Sequence, residues 1–128
     1  MKRIINIIAA AVIALGLCSC NAKIENPTAR NFVGTWDLES IETMASSGSV
    51  TTTPVKTLDY LVITETTIQF YEKDKLDREG TFAVKDKVIY VNGSAYYNVE
   101  SLTGKEMVLS QSGFGILVDS YKYHYKKR

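Results

Sequence analysis

His124 is the only histidine in the 128-residue chain, and so the only side chain whose ordinary pKa lies near neutrality. It sits in Tyr121-Lys122-Tyr123-His124-Tyr125. Strand alternation there puts the three tyrosines on one face and His124 with Lys122 on the other. One histidine cannot build the usual zinc site, and no Ser-His-Asp arrangement is evident, so His124 reads as an exposed strand residue. Asp74, Asp77 and Glu79 gather near one turn. They lack the spacing of a calcium loop, and Lys73, Lys75 and Arg78 interleave with them, as on a solvated hairpin. Nothing singles out a carboxylate pair for glycoside hydrolysis. The sequence therefore implies no catalytic residue, no metal and no cofactor, and the chain is read as a non-enzyme.

The eight tyrosines are the more informative set. Tyr121, Tyr123 and Tyr125 form a stripe, and Tyr60, Tyr90, Tyr96 and Tyr97 come from other segments. Most of them are packing residues on this reading. An inward-facing subset would form a cavity wall whose hydroxyls orient a ligand, because small-molecule sites combine apolar walls with few polar groups. The candidate ligand-facing residues are Tyr60, Phe70, Phe82, Tyr90, Tyr97, Tyr121 and Tyr123.

The two cysteines, Cys18 and Cys20, carry a different chemistry. Met1-Lys2-Arg3 is basic, Ile4 to Leu17 is apolar apart from Asn6, and small or polar residues come next. This is the pattern of a secretory signal. The apolar run of about 14 residues is too short to cross a hydrocarbon core of ~30 Å as a helix. Leu17-Cys18-Ser19-Cys20 resembles a bacterial lipoprotein lipobox, with Leu17 at −3 and Ser19 at −1 from Cys20. The resemblance implies cleavage before Cys20, acylation of its sulfur, and anchorage to the membrane through several acyl chains, each buried CH₂ contributing about 0.8 kcal/mol. The mature chain would then hold one cysteine, with no intrachain disulfide. Loss of Lys2 and Arg3 leaves 13 basic against 14 acidic side chains, a balance of −1. That is no nucleic-acid footprint.

After the leader, residues 20–31 read as a lipidated tether and residues 32–128 as one folded domain. Phe32-Val33-Gly34-Thr35-Trp36-Asp37-Leu38 holds the only tryptophan and opens the first strand. Gly34, Trp36, Leu38 and Ser40 share one face of it. Met44 to Thr57 is a long polar stretch, part of which, Val50 to Val55, has the character of a ragged edge strand. From Leu58 onward short strands alternate with turns at Glu65-Thr66-Thr67, Lys73-Asp74-Lys75, Lys85-Asp86-Lys87, Asn92-Gly93 and Thr103-Gly104-Lys105. Asn92-Gly93 is the strongest hairpin signal. Gln111 to Gly115 reads as a flexible connection. The expectation is an all-β, eight-stranded up-and-down antiparallel barrel, since closure removes exposed edges.

Phe32-Val33-Gly34-Thr35-Trp36 resembles the Gly-x-Trp start of the lipocalin fold. The order of Leu61-Val62-Ile63, Glu79-Gly80-Thr81-Phe82 and Leu102 to Leu109 is similar to the lipocalin-like domains of small bacterial lipoproteins. The resemblance implies that Trp36 packs at the closed end of the barrel under a basic side chain from Lys126, Lys127 or Arg128, with Arg128 taken as the closing residue. It also implies that Met44 to Thr57 borders an open mouth as a mobile lid. The expected function is that of a monomeric, lipid-anchored outer-membrane protein, facing the periplasm or the surface, that binds a small, largely apolar ligand. The alternative is an interaction protein, similar to lysozyme-inhibitor lipoproteins, that presents a loop such as Ser112-Gly113-Phe114-Gly115 to a partner.

Overall fold

The computed structural model describes residues 22–113 and 118–128. Both cysteines, the leader, and Phe114 and Gly115 of the connection lie outside the described residues.

The strands are β1 (Gly34–Ala45), β2 (Val50–Pro54), β3 (Tyr60–Ile63), β4 (Thr67–Glu72), β5 (Lys75–Lys85), β6 (Val88–Val91), β7 (Ser94–Leu102), β8 (Glu106–Ser112) and β9 (Val118–Lys127). Every pairing is antiparallel, and β1 returns to β9 from Trp36↔Lys127 to Ala45↔Val118. Eight strands therefore close into a barrel, as the meander pattern predicts. β2 is the addition. β1 is long enough to hold β3 along Gly34–Asp37 and β2 along Ser40–Met44 of the same edge. The irregular stretch between β2 and β3 is tied down, with Val55 N–H donating to Glu39 C=O and Leu38 N–H to Asp59 C=O.

The lid expectation is thus corrected. Met44 and Ala45 belong to β1, and Val50–Pro54 is a paired edge strand whose residues are all exposed. A run of threonines alternates well on a pleated surface, and its polarity suits an edge.

Among the described residues, three hairpins turn on two residues with positive φ: Lys73-Asp74 (51° and 63°), Asp86-Lys87 (51° and 61°) and Asn92-Gly93 (52° and 81°). This is the type I′ geometry whose twist matches paired strands. Lys73-Asp74 lacks a glycine, and local bonds offset the strain. Asp74 N–H donates to Leu58 C=O, Lys73 N–H to Asp59 Oδ1, and Tyr60 Oη to Asp74 Oδ1 at 2.6 Å.

The chain enters β1 differently from the expected extended run. Ala29–Phe32 is a 3-10 turn, and Phe32 is fully buried. The stretch before it is docked rather than a free tether: Ile24 N–H donates to Leu102 C=O, and the Ile24 and Ala29 side chains pack on the core. The largest fully buried side chains of the barrel interior are Trp36, Phe32, Ile63, Ile68, Ile89, Leu102, Met107 and Leu109. Each such side chain contributes roughly 1.5–3 kcal/mol by leaving water.

Among the described residues, five register shifts redirect side chains. Each leaves one extra residue on a strand: Glu39 on β1, Asp77 on β5, Tyr96 and Glu100 on β7, and Asp119 on β9. A bulge re-aims the side chains beyond it. After Glu39, Ser40 stands opposite the outward His124 and Ile41 opposite the inward Tyr123, so Ser40 does not share the face of Trp36 and Leu38.

Candidate binding site

At the closed end, Trp36 is wholly buried and its Nε1–H donates to Phe32 C=O at 2.8 Å. Phe32 meets Phe82 edge-on, ring centres 5.8 Å apart. Lys127 lies directly across from Trp36, with its ammonium 5.6 Å from the ring centre. The basic cap on the tryptophan is therefore Lys127. Arg128 is directed outward: it grips Asp37 through Nη2–Oδ1 (2.7 Å) and Nε–Oδ2 (3.3 Å), and its guanidinium covers the Tyr60 ring at 4.5 Å. The difference comes from alternation, since Lys127 shares the inner face with Trp36 and Arg128 shares the outer face with Asp37 and Tyr60.

The opposite end opens to a cavity of about 250 Å³. Its inner wall is aromatic: Phe70 from β4, Tyr96 and Tyr97 from β7, and Tyr123 and Tyr125 from β9, with Leu38 of β1 between them. The rings interlock, with centre distances of 5.5 Å for Phe70–Tyr96, 4.7 Å for Tyr96–Tyr97 and 5.7 Å for Tyr97–Tyr123. Adjacent residues on a regular strand point to opposite faces. Tyr96 and Tyr97 both serve the interior because Tyr96 is the extra residue of the β7 bulge.

Polar groups are fixed among these rings. Gln111 Oε1 accepts from Tyr123 Oη at 2.9 Å, and its Nε2 donates to Tyr96 C=O at 3.2 Å. The Tyr97 and Tyr125 hydroxyls bond each other. Burial raises the Tyr97, Tyr123 and Tyr125 phenols above their ordinary pKa, because an ionised phenol would lie in a poorly solvated wall. No buried side-chain nitrogen or oxygen among the described residues lacks a partner.

Arg78 stands over the wall. The Asp77 bulge turns Leu76 outward, opposite Tyr71, and aligns Arg78 with the inward Phe70. Its guanidinium lies 4.5 Å above the Phe70 ring, Nη2 donates to Tyr96 Oη at 2.6 Å, and Nε meets Asp77 Oδ2 at 3.4 Å. The hydrogen bond to Tyr96 raises the Arg78 pKa further, so the group is permanently charged. The rim also carries Asp59 and Glu72. Among the described residues, no group of three or more histidines, cysteines or carboxylates is placed to hold a metal ion.

Of the candidate ligand-facing residues, Phe70, Tyr97 and Tyr123 come together in this wall. Tyr121 shares their inner face, stacked on Tyr123 at 6.3 Å but outside the cavity lining. Phe82 is core at the closed end. Register places Tyr90 on the outer face, opposite Ala83. The Tyr60 ring is also outside, stacked on Tyr71 at 4.5 Å, while its strand borders the rim. Sequence reading misses Leu38, Tyr96, Tyr125, Arg78 and Gln111 as site residues. Bulges hide Tyr96 and Arg78, because each breaks the alternation from which facing is read. Gln111 reads as the start of a flexible connection, whereas it lies inside β8.

No protein-family model, no curated protein and no solved structure matched this chain.

Proposed function

We propose that this protein is a lipid-anchored binding protein of the cell envelope that holds a small ligand in the open end of its barrel. The observation that carries the reading is the asymmetry of the interior. One half is packed solid behind Trp36, and the other keeps an open cavity walled by interlocked rings with fixed polar groups. Pre-formed concave sites of mixed aromatic and polar lining are where small molecules bind. The lining, with Arg78, Gln111 and tyrosine hydroxyls, favours a ligand with a polar head over a purely apolar one. The Cys20 lipobox and the leader support the envelope location, and the Gly-x-Trp start supports a lipocalin-like ancestry.

A mixture of small metabolites added to isotope-labelled protein tests this. Amide shifts should move at Phe70, Tyr96, Tyr97 and Tyr123 and stay still at Trp36 and Phe82. Shifts confined to the outer face would contradict the reading.

A second reading, presentation of a segment to a partner protein, is favoured by β2, which among the described residues pairs only with β1 and has no neighbour on its other edge. Added strands commonly dock on such edges.

A further inference from the structure

We propose that the ligand is a small planar organic anion, a carboxylate on a flat apolar body, and that Arg78 is its receptor. The inference rests on the binding reading above and names the chemistry of that site.

The guanidinium is held in place before any ligand arrives. Phe70 supports its face, Asp77 holds Nε, and Tyr96 Oη accepts from Nη2. Among the described residues Nη1 has no partner, and the side chain is 54% exposed. A guanidinium edge presented this way binds a carboxylate through two parallel N–H···O bonds. The Tyr96 hydroxyl spends its lone pair on Arg78, and its own proton has no acceptor among the described residues. It is a second donor beside the first.

The three carboxylates at the rim do not cover the free guanidinium edge. Asp77 is paired to Arg78 itself, Asp59 Oδ1 accepts from Lys73 N–H, and Glu72 stands opposite Lys75 in the β4–β5 pair. The charged group that lies directly over the Phe70 ring of the wall is the guanidinium. The Tyr97 and Tyr123 rings complete the wall where a flat body would pack, and offset or edge-on ring contacts would orient it. An ammonium head would meet Arg78 repulsively, and the Phe70 face that would attract it is already covered by the guanidinium.

Isothermal titration with three probes of one shape tests the inference: cinnamate, cinnamyl alcohol and cinnamylamine. Cinnamate should bind at least about tenfold tighter than the alcohol, as hydrogen bonds to a charged group do relative to neutral ones, and the amine should bind weakest. Arg78→Gln should bring the ratio of cinnamate to alcohol affinity down to about one, with circular dichroism still reporting the barrel because the half-exposed side chain is not part of the core. Tyr96→Phe keeps the ring and should weaken cinnamate alone. Equal binding of alcohol and acid, tighter binding of the amine, or cinnamate affinity unchanged in Arg78→Gln would overturn the anion assignment and leave the binding reading intact. Failure of all three probes to bind would overturn both.

Discussion

The ammonium of Lys127 lies 5.6 Å from the centre of the Trp36 ring, and the two residues face each other across the β1–β9 pair. This contact closes one end of the barrel and explains the glycine two positions before the tryptophan. A Cβ on Gly34 would come within 2.7 Å of Lys127 Cε, and Gly34 has a φ of +143° that side chains rarely adopt.

Gly34→Ala should therefore destabilise the barrel by about 1–3 kcal/mol, the usual size of backbone strain at such a position. Lys127→Ala in the same chain should restore the part that comes from the clash and none of the part that comes from φ. Urea midpoints of the two single variants and the double variant measure the split. A double variant as unstable as the sum of the singles would show that the Lys127 stem does not set the need for glycine.

Trp36→Ala should cost roughly 3–5 kcal/mol, as truncation of a buried aromatic does. Arg128→Ala should leave the urea midpoint nearly unchanged, because its grip on Asp37 is made at the solvent surface. Equal losses from the two would return Arg128 to a closing role.

The buried phenols predict an alkaline limit. In the folded barrel Tyr97 and Tyr125 hold their protons above the ordinary value near 10. A raised folded-state pKa means that the stability tied to these groups is fully present below pH ~10 and is lost as pH rises above it toward the folded values. Tyr60 behaves differently: its hydrogen bond to Asp74 raises its pKa to about 12, but the ring is on the outer surface. Denaturant titrations above pH ~10 should show the loss, and Tyr97→Phe should reduce its slope. A stability that stays flat through that range would show that both buried phenols reach solvent.

Processing is expected at Cys20. Cys20→Ser should release the protein from membranes, while Cys18→Ser should leave it anchored, since Leu17 at −1 of Cys18 is too large for the lipobox. Fractionation with equal membrane retention of the two variants would contradict the assignment.

The barrel is legible in the sequence because its strands announce themselves locally. Asn92-Gly93 and the two Lys/Asp turns mark hairpins, and alternation in Tyr121 to Tyr125 sorts a strand's faces correctly when no bulge intervenes. Facing in β5 and β7 is not legible. A single extra residue, Asp77 or Tyr96, reverses every assignment beyond it, and whether a strand bulges depends on its partner's register rather than on its own sequence. Lys127 and Arg128 differ in the same way: both are basic and adjacent, and only the β9 register tells which one reaches Trp36. The threonine run of β2 shows the character of an edge strand, but its polarity hides which partner it takes, and that is set by the length of β1.

Native mass spectrometry of the protein extracted from its own membranes tests the central claim, that the open end of the barrel holds a small ligand, most directly. The wild-type protein should carry a small adduct beyond its acyl chains. Leu38→Trp, which fills the cavity from β1, should lose that adduct while circular dichroism still reports the barrel. A bare wild-type protein, or an adduct retained in the filled variant, would contradict it.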